Sequence, residues 1–397
     1  MDGADPGPTV LFVGHTGEVG GAERVLLDVA AGVGGHVLLL ADGPLRAALE
    51  ARGVPCTVAA GAPDLGRIRR DRPLAGSVLR VARGLLRTVR VVAAAAKDAD
   101  LVYANSQKAF VVSAFAARRA RRPLLWHLHD ILDDDHFGTA QRRLVTALAN
   151  RRCAAVVVPS VAAGDAFVAA GGRRALVHVV ANGVGAAPGS PSDRATLRRG
   201  LGLPDGPVVG VFSRIAPWKG QHVAVAAVAA VPGAHLLLVG GPAFAEDAAL
   251  ADLHRLVARL DLADRVTFLG HRDDVRELMP AVDVCVHPSV AAEPFGLTVV
   301  EAMLAGLPVV ASSAGALPEI LTHGETGLLV PPGDAEALAA AVAELASDPG
   351  RARRMGERAR SVAAERFSSD RLVAGVDAVV RSTGARGPVL PAVGRGA

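Results

Sequence analysis

Glu293–Pro294–Phe295–Gly296–Leu297–Thr298–Val299–Val300–Glu301 sets two carboxylates eight positions apart, around a turn and a short apolar run. On one continuous helix eight positions are slightly more than two turns, so both carboxylates would face one way. Pro294 and Gly296 interrupt that helix. Glu293 is therefore expected on the loop entering it, and Glu301 in its second turn. The loop's backbone N–H groups and the positive end of the helix then point between the two carboxylates, which suits an anion such as a phosphate. Carboxylates at the edges accept hydrogen bonds from hydroxyl groups such as those of a ribose or a hexose. A nucleotide sugar carries both kinds of group.

Two other segments extend the pattern. Ser213–Arg214–Ile215–Ala216–Pro217–Trp218–Lys219–Gly220 follows the strand-like run Val208–Phe212 and supplies two cations five residues apart. Gly17–Glu18–Val19–Gly20–Gly21–Ala22–Glu23 follows the first apolar run, Val10–Val13. Together with the carboxylate stretch, these segments resemble the retaining glycosyltransferases of family 4 (glycosyl transferases group 1), from about residue 9 to about residue 370. The resemblance implies the α/β GT-B fold: two facing Rossmann-like, doubly wound parallel-sheet domains with a cleft between them. It also implies that Arg214 and Lys219 clamp the donor diphosphate, that Glu293 contacts sugar hydroxyls, and that Glu301 holds the ribose diol. Phe295, Gly296 and Leu297 would lie where backbone amides meet the phosphates and the sugar, and Gly17, Gly20 and Gly21 in a loop closing over the phosphates.

Composition bounds the rest. At 397 residues there is length for two or three domains and ample core. Hydrophobic residues make up 51% and aromatic ones only 3%, so the core is built from Ala, Val and Leu. Cys56, Cys153 and Cys285 are far apart, each in or beside an apolar run, and read as buried core residues in a reducing cytosol. No basic segment followed by an apolar one marks a signal peptide at the N-terminus. Val223–Ala245 carries no formal charge, but Pro232–Gly233 cuts it into a helix-like and a strand-like piece, so no membrane span is expected. A cytoplasmic enzyme is expected, or one associated with the membrane surface. The net charge of +4 hides an asymmetry: residues 1–185 carry 23 Lys/Arg against 16 Asp/Glu.

Along the chain, strand-like and helix-like segments alternate, which predicts parallel βαβ units and a doubly wound sheet. Residues 1–185 are expected to form an acceptor-binding Rossmann-like domain and 186–206, rich in Gly, Pro and Ser, an interdomain linker. Residues 207–370 repeat the pattern as a nucleotide-sugar-binding domain. In 371–397, a last helix over Leu372–Arg381 would pack back on the first domain, followed by a flexible Gly/Pro-rich tail. In such sheets ligands bind at the carboxyl ends of the strands.

Each candidate has a plainer reading beside it. Arg214 and Lys219 come directly after a strand, where fixed cations stabilise the charge that develops on a leaving diphosphate; otherwise they are solvated surface cations. Arg214→Ala and Lys219→Ala are each expected to abolish transfer and leave the fold intact. Glycine at 296 lets backbone approach closely. Glu301 is otherwise an exposed helix carboxylate. In Leu124–Leu125–Trp126–His127–Leu128–His129–Asp130, His129 and Asp130 fall at a strand's carboxyl end. The resemblance places a histidine there beside the donor sugar; His129 fits better than His127, and Asp130 would orient it. A packed or surface histidine is the alternative.

The first glycine loop, with Asp42 ending the next strand, also imitates a dinucleotide fingerprint. A short-chain reductase needs Tyr-x-x-x-Lys, and the chain's one tyrosine, Tyr103, is followed four residues on by Gln107. Asp133–Asp134–Asp135 reads as a solvated loop, not a metal site. The cations do a metal's work, so activity should survive chelation. No cofactor is expected beyond the nucleotide-diphosphate sugar, a UDP- or GDP-sugar, and no nucleic-acid partner. Arg80, Arg83, Arg87 and Arg90 step by three, four and three, on one stripe of a helix. That basic face, beside Val81, Leu85, Val89 and Val92, suits an anionic membrane carrying a lipid acceptor, or else is an ordinary solvated face. A GT-B epimerase or phosphorylase, or an inert nucleotide-sugar-binding module, are the rival functions.

Overall fold

The computed structural model describes residues 7–59, 78–185, 193–242 and 247–384, with side chains omitted at 78–82. The chain divides into two compact units, Met1–Gly183 with Ser369–Ala397, and Val184–Ser368.

In the first unit, seven strands form one parallel sheet in the order β3-β2-β1-β4-β5-β6-β7. They are β1 (Val10–Gly14), β2 (His36–Leu39), β3 (Cys56–Val58), β4 (Leu101–Ala104), β5 (Leu124–His127), β6 (Ala155–Val158) and β7 (Val177–Val179). The connecting helices are α1 (Gly21–Val33), α2 (Pro44–Ala51), α3 (Val78–Ala95), α4 (Gln107–Ala120), α5 (Thr139–Arg152) and α6 (Val161–Ala169). Every residue of β1, β4, β5 and β6 is buried. Strands covered by helices on both faces need continuous apolar runs, not alternation, which is what these segments supply. Ser106 and Ser160 start α4 and α6 by accepting bonds from backbone N–H groups three residues on.

The second unit repeats the plan with six parallel strands in the order β10-β9-β8-β11-β12-β13. These are β8 (Val208–Phe212), β9 (His235–Val239), β10 (Val266–Gly270), β11 (Val284–His287), β12 (Val309–Ser312) and β13 (Leu328–Val330). Its helices are α7 (Arg194–Gly200), α8 (Gln221–Ala229), α9 (Asp247–Arg259), α10 (Val275–Leu278), α11 (Leu297–Leu304), α12 (Leu317–Ile320), α13 (Ala335–Ser347) and α14 (Pro349–Arg366). In both sheets the order reverses beside the first strand, between β1 and β4 and between β8 and β11. That is where a doubly wound sheet opens a crevice at its carboxyl edge.

Several segments differ from the sequence reading. The expected linker contains α7, and α7 is packed onto the second unit. Arg198 donates to the carbonyls of Ala281 (2.8 Å) and Gly206 (3.3 Å), and Arg194 and Arg198 both pair with Asp283. Residues 186–192 of that linker lie outside the described residues, as does the tail beyond 384. After β12 the chain forms the short helix α12, which Pro318 accommodates in its first turn. Cys153 and Cys285 are buried, but Cys56 is half-buried on the edge strand β3. The last helix, α15 (Ser369–Gly384), belongs to the first unit and starts three residues before the predicted boundary. It lies on α1: Ser369 donates to Asp28 at 2.6 Å, and a Cβ on Gly32 would meet Val373 at 2.4 Å. Among the described residues no helix is long and apolar enough to cross a membrane.

Candidate active site

In the second unit the polar groups collect at the carboxyl ends of β8 and β11, the neighbouring strands at the switch point. After β8, Pro217–Lys219 forms a 3-10 turn that the sequence did not announce. The turn closes on Gly220, at φ 70°, where a Cβ would stand 1.9 Å from the Pro288 carbonyl oxygen. Only glycine fits, so the Lys219 loop is pressed against the loop that follows β11. The buried Gln221 ties it down further, donating to Ser213 Oγ (2.9 Å) and the Arg214 carbonyl (2.8 Å).

On the facing loop, Glu293 is 3% exposed, too little for a carboxylate to stay charged on solvation alone. Its Oε1 accepts three bonds: from Lys219 Nζ at 2.5 Å, His287 Nε2 at 2.8 Å and Ser289 Oγ at 2.6 Å. Burial alone would raise the Glu293 carboxyl; Lys219 and His287 outweigh it and hold the group well below the usual carboxylate range. His287 is itself positioned by Thr298 Oγ1, 3.4 Å from Nδ1. Glu293 backbone pairs with the loop before α12, its carbonyl accepting from Ala316 N at 2.9 Å. Gly315, at φ 60°, permits that approach, since a Cβ there would lie 2.3 Å from the Glu293 oxygen.

Trp218 lies between the cations. The Lys219 ammonium sits 4.1 Å, and the Arg214 guanidinium carbon 5.5 Å, from its ring centroid. A cation over an indole face is held in place while its remaining donors stay available. Arg214 is half-buried.

The carboxylate stretch folds largely as its spacing suggests. Glu293 is on the loop, Gly296 caps α11 in the left-handed region (φ 106°), and Glu301 is the fifth residue of the helix. Glu301 is buried, at 7% exposure, not the exposed helix carboxylate of the plainer reading. The Phe295 side chain turns away into the core, meeting Phe367 edge-on at 5.7 Å, so only its backbone is open to a ligand role. Leu297 is half-buried at the first helical position. Lys219 also differs from expectation. It is a partner of buried Glu293 and its own side chain is only 13% exposed, so its removal bears on stability.

In the first unit a second polar cluster forms at the carboxyl ends of β1, β4 and β5. His129 Nε2 meets Asn105 Oδ1 at 3.0 Å, and Asn105 Nδ2 donates to the Ala22 carbonyl at 3.1 Å. The rings of His127 and His129 lie 3.9 Å apart. His127, fully buried, hydrogen-bonds the Tyr103 hydroxyl through Nδ1, which makes both residues part of the packing. Burial pushes His129 down to about 3 and His15 to about 4, with Lys108 adding to the latter, so both rings are neutral near pH 7. His15 Nδ1, His127 Nε2 and His129 Nδ1 are buried without a hydrogen-bond partner, a concentration of orphaned polar atoms that packing does not explain. Burial also raises the Glu23 carboxyl against the backbone N–H bonds it accepts, and Asp130 nearby raises it further.

The glycine loop has an internal reason for part of its pattern. A Cβ on Gly17 would stand 2.3 Å from the Asp42 carbonyl carbon, so Gly17 serves close backbone packing against Asp42–Gly43. Gly20 N donates to Glu23 Oε2 at 3.2 Å and, with Gly21 as first helical residue, starts α1. The Asp133–Asp135 run is also accounted for: Asp133 caps His136 (2.7 Å to Nδ1) and Asp134 pairs with Arg142.

Residues 20–183 match the family model described as glycosyl transferase 4-like domain, and residues 193–362 that of glycosyl transferases group 1. The structure of Anabaena HepE, solved with UDP and glucose, superposes at a TM-score of 0.85 and 38% identity, over 94% of this chain and 100% of that one. Sucrose-phosphate synthase from Thermosynechococcus elongatus shares the fold, with a TM-score of 0.79 at 24% identity over 96% and 100% of the two chains. The D-inositol 3-phosphate glycosyltransferase of Mycobacterium marinum is 39% identical over 171 residues, 42% of this chain and 36% of that protein. The N-acetyl-alpha-D-glucosaminyl L-malate synthase of Bacillus anthracis is 40% identical over 141 residues, 35% of each chain. The matched stretch thus spans only about a third of these curated relatives' length. With both halves matched and HepE similar along almost the whole chain, this protein belongs to the family 4 glycosyltransferases and has the GT-B fold.

Proposed function

We propose that the protein is a retaining, metal-independent transferase that moves a hexose from a UDP-sugar to a hydroxyl acceptor. The observation that carries this reading is the buried Lys219–Glu293 pair at the switch point of the second sheet, with Trp218 holding Lys219 and Arg214 beside it. Two fixed cations on one loop suit a diphosphate: the arginine fork grips two oxygens and the ammonium acts as a point charge. UDP is preferred over GDP because HepE, similar over nearly the full chain, is solved with UDP and with UDP-glucose.

Glu293 is assigned to the sugar, Glu301 to the ribose diol, and His129 to the donor sugar as a neutral hydrogen-bonding group. Gly20, Gly21 and the backbone of Phe295, Gly296 and Leu297 are assigned to phosphate and sugar. In the step proposed, the bond between the anomeric carbon and the diphosphate oxygen breaks. The acceptor oxygen then bonds to that carbon on the same face, and the acceptor proton passes to the departing phosphate. Arg214 and Lys219 stabilise the charge growing on the diphosphate, the term a metal ion supplies in other designs. The acceptor is a glycan, a lipid-linked sugar or a small hydroxyl metabolite.

Thermal stability against UDP, GDP, ADP and NAD tests the donor. A ligand at 100 times its dissociation constant adds about 2.7 kcal/mol, which UDP should supply in a chelating buffer. A shift with NAD alone would overturn the reading. The anomeric configuration of the transferred sugar, read by NMR, tests retention: a β-product from an α-donor would contradict it. Conversion of UDP-sugar without any acceptor would instead favour an epimerase.

A further inference from the structure

Three successive helices of the first unit, α3, α4 and α5, contain no Asp or Glu at all. They carry four, three and four Lys/Arg respectively. α4 packs against α3 on one side and α5 on the other. All three run the same way: Gln141 of α5 donates to Gln107 of α4 at their starts (3.2 Å), and Arg122, after α4, donates to the Lys97 carbonyl, after α3 (2.8 Å). At the far ends Arg118 and Arg151 are close enough to Arg152 to help lower its guanidinium, after burial.

The solvent side of this layer is also apolar. Among the described residues each helix exposes one large hydrophobic side chain: Leu86 at 56%, Phe115 at 46% and Leu144 at 73%. Arg83, Arg87 and Arg90 on α3, Arg118 and Arg119 on α4, and Arg143 and Arg151 on α5 are exposed on the same helices. The helices use other faces for packing, with Val92, Phe110, Val112 and Val145 buried. Water-exposed Leu and Phe among exposed arginines, on three helices that carry no carboxylate of their own, is a costly surface for a protein with no partner for it.

We propose that this three-helix face docks on an anionic phospholipid bilayer, with Leu86, Phe115 and Leu144 entering the headgroup boundary and the arginines meeting lipid phosphates. The occupant is argued from the pairing of the two features. Nucleic acid or a sulfated glycan satisfies the arginines but leaves three apolar tips in water. A protein groove satisfies the tips but needs carboxylates spread over three helices. A bilayer surface offers both, over the breadth of the layer. The face reaches beyond α3, where the sequence alone had placed a basic stripe. It stands independently of the transfer chemistry, since no residue in it belongs to the candidate site.

Co-sedimentation of the full chain with vesicles of phosphatidylglycerol and phosphatidylcholine, and of phosphatidylcholine alone, tests this. Binding should require the anionic lipid and weaken when salt is raised from about 0.05 M to about 0.5 M. Combined Leu86→Ser, Phe115→Ser and Leu144→Ser should lower partitioning at least about tenfold. Leu144→Ser alone, at a side chain already open to water, should fold as the parent does and still lose binding several-fold. Arg353→Glu, exposed on the second unit, should change nothing. No binding to anionic vesicles at low salt overturns the proposal. So does binding that survives loss of the three apolar tips, since that makes the face a general polyanion site.

Discussion

At Glu293 a single oxygen accepts from an ammonium, an imidazole and a hydroxyl, in a pocket nearly closed to water. Removing a partner from a buried pair leaves a charge unpaired, at a cost of about 3–5 kcal/mol. His287 and Ser289 remain in Lys219→Ala, so a loss near the lower end, about 3 kcal/mol, is expected in denaturant unfolding. A Lys219→Ala chain as stable as its parent would show that the pair contributes nothing to folding. The carboxyl has its native pKa depressed. The pair therefore stabilises the fold above the unfolded value, about 4.3, and that contribution is lost as pH falls from there toward the folded value. Glu293→Gln should flatten the fall of the melting temperature between about pH 5 and about pH 3, and an unchanged slope would contradict the assignment. Trp218, His287 and Ser289 were not picked out from the sequence. Trp218 stands inside the cation motif and ends one residue before Lys219, which was the available signal. His287 and Ser289 read only as a strand end.

Among the elements, loops are held to sheets by a few positions that tolerate no change. Gly220→Ala puts a Cβ 1.9 Å from a carbonyl oxygen in a left-handed backbone, so it should cost more than about 1–3 kcal/mol and loosen the Lys219 turn. Unaltered stability and UDP affinity would refute that account. Asp283 binds Arg194, Arg198 and the Val208 backbone N–H (2.8 Å), joining α7 to the start of β8 and the approach to β11. Asp283→Ala should lower the urea midpoint by leaving two guanidinium groups and a backbone donor short of an acceptor, about 1–3 kcal/mol for each buried group left unsatisfied; a parental midpoint would exclude it. The strands were legible because parallel, doubly covered strands are written as apolar runs such as Val208–Phe212. The 3-10 turn at Pro217–Lys219, the docking of α7 and the short α12 were not. The first two depend on contacts between residues 68 and 85 apart, Gly220 with Pro288 and Arg198 with Asp283, which no local pattern encodes.

For the molecule as a whole, the repeated βα pattern on either side of residues 186–206 was enough to predict two doubly wound parallel sheets, while the strand order that fixes their switch points came from the structure. The pattern put Arg214 and Lys219 on a loop after one strand and Glu293 on a loop entering a helix; the pairing of β8 with β11 is what makes those loops neighbours. It could not show that Lys219 and Glu293 share one hydrogen bond, because a cation and a carboxylate 74 residues apart can equally face separate ligands. The central claim is that this loop pair binds a diphosphate without a metal. Calorimetric titration of UDP into the parent and into Arg214→Ala, both in a chelating buffer, tests it most directly. The parent should bind, and Arg214→Ala, which leaves the Lys219–Glu293 pair in place, should bind at least about tenfold more weakly, about 1.4 kcal/mol. Equal affinity in the two chains, or no UDP binding until a divalent cation is restored, would contradict the account.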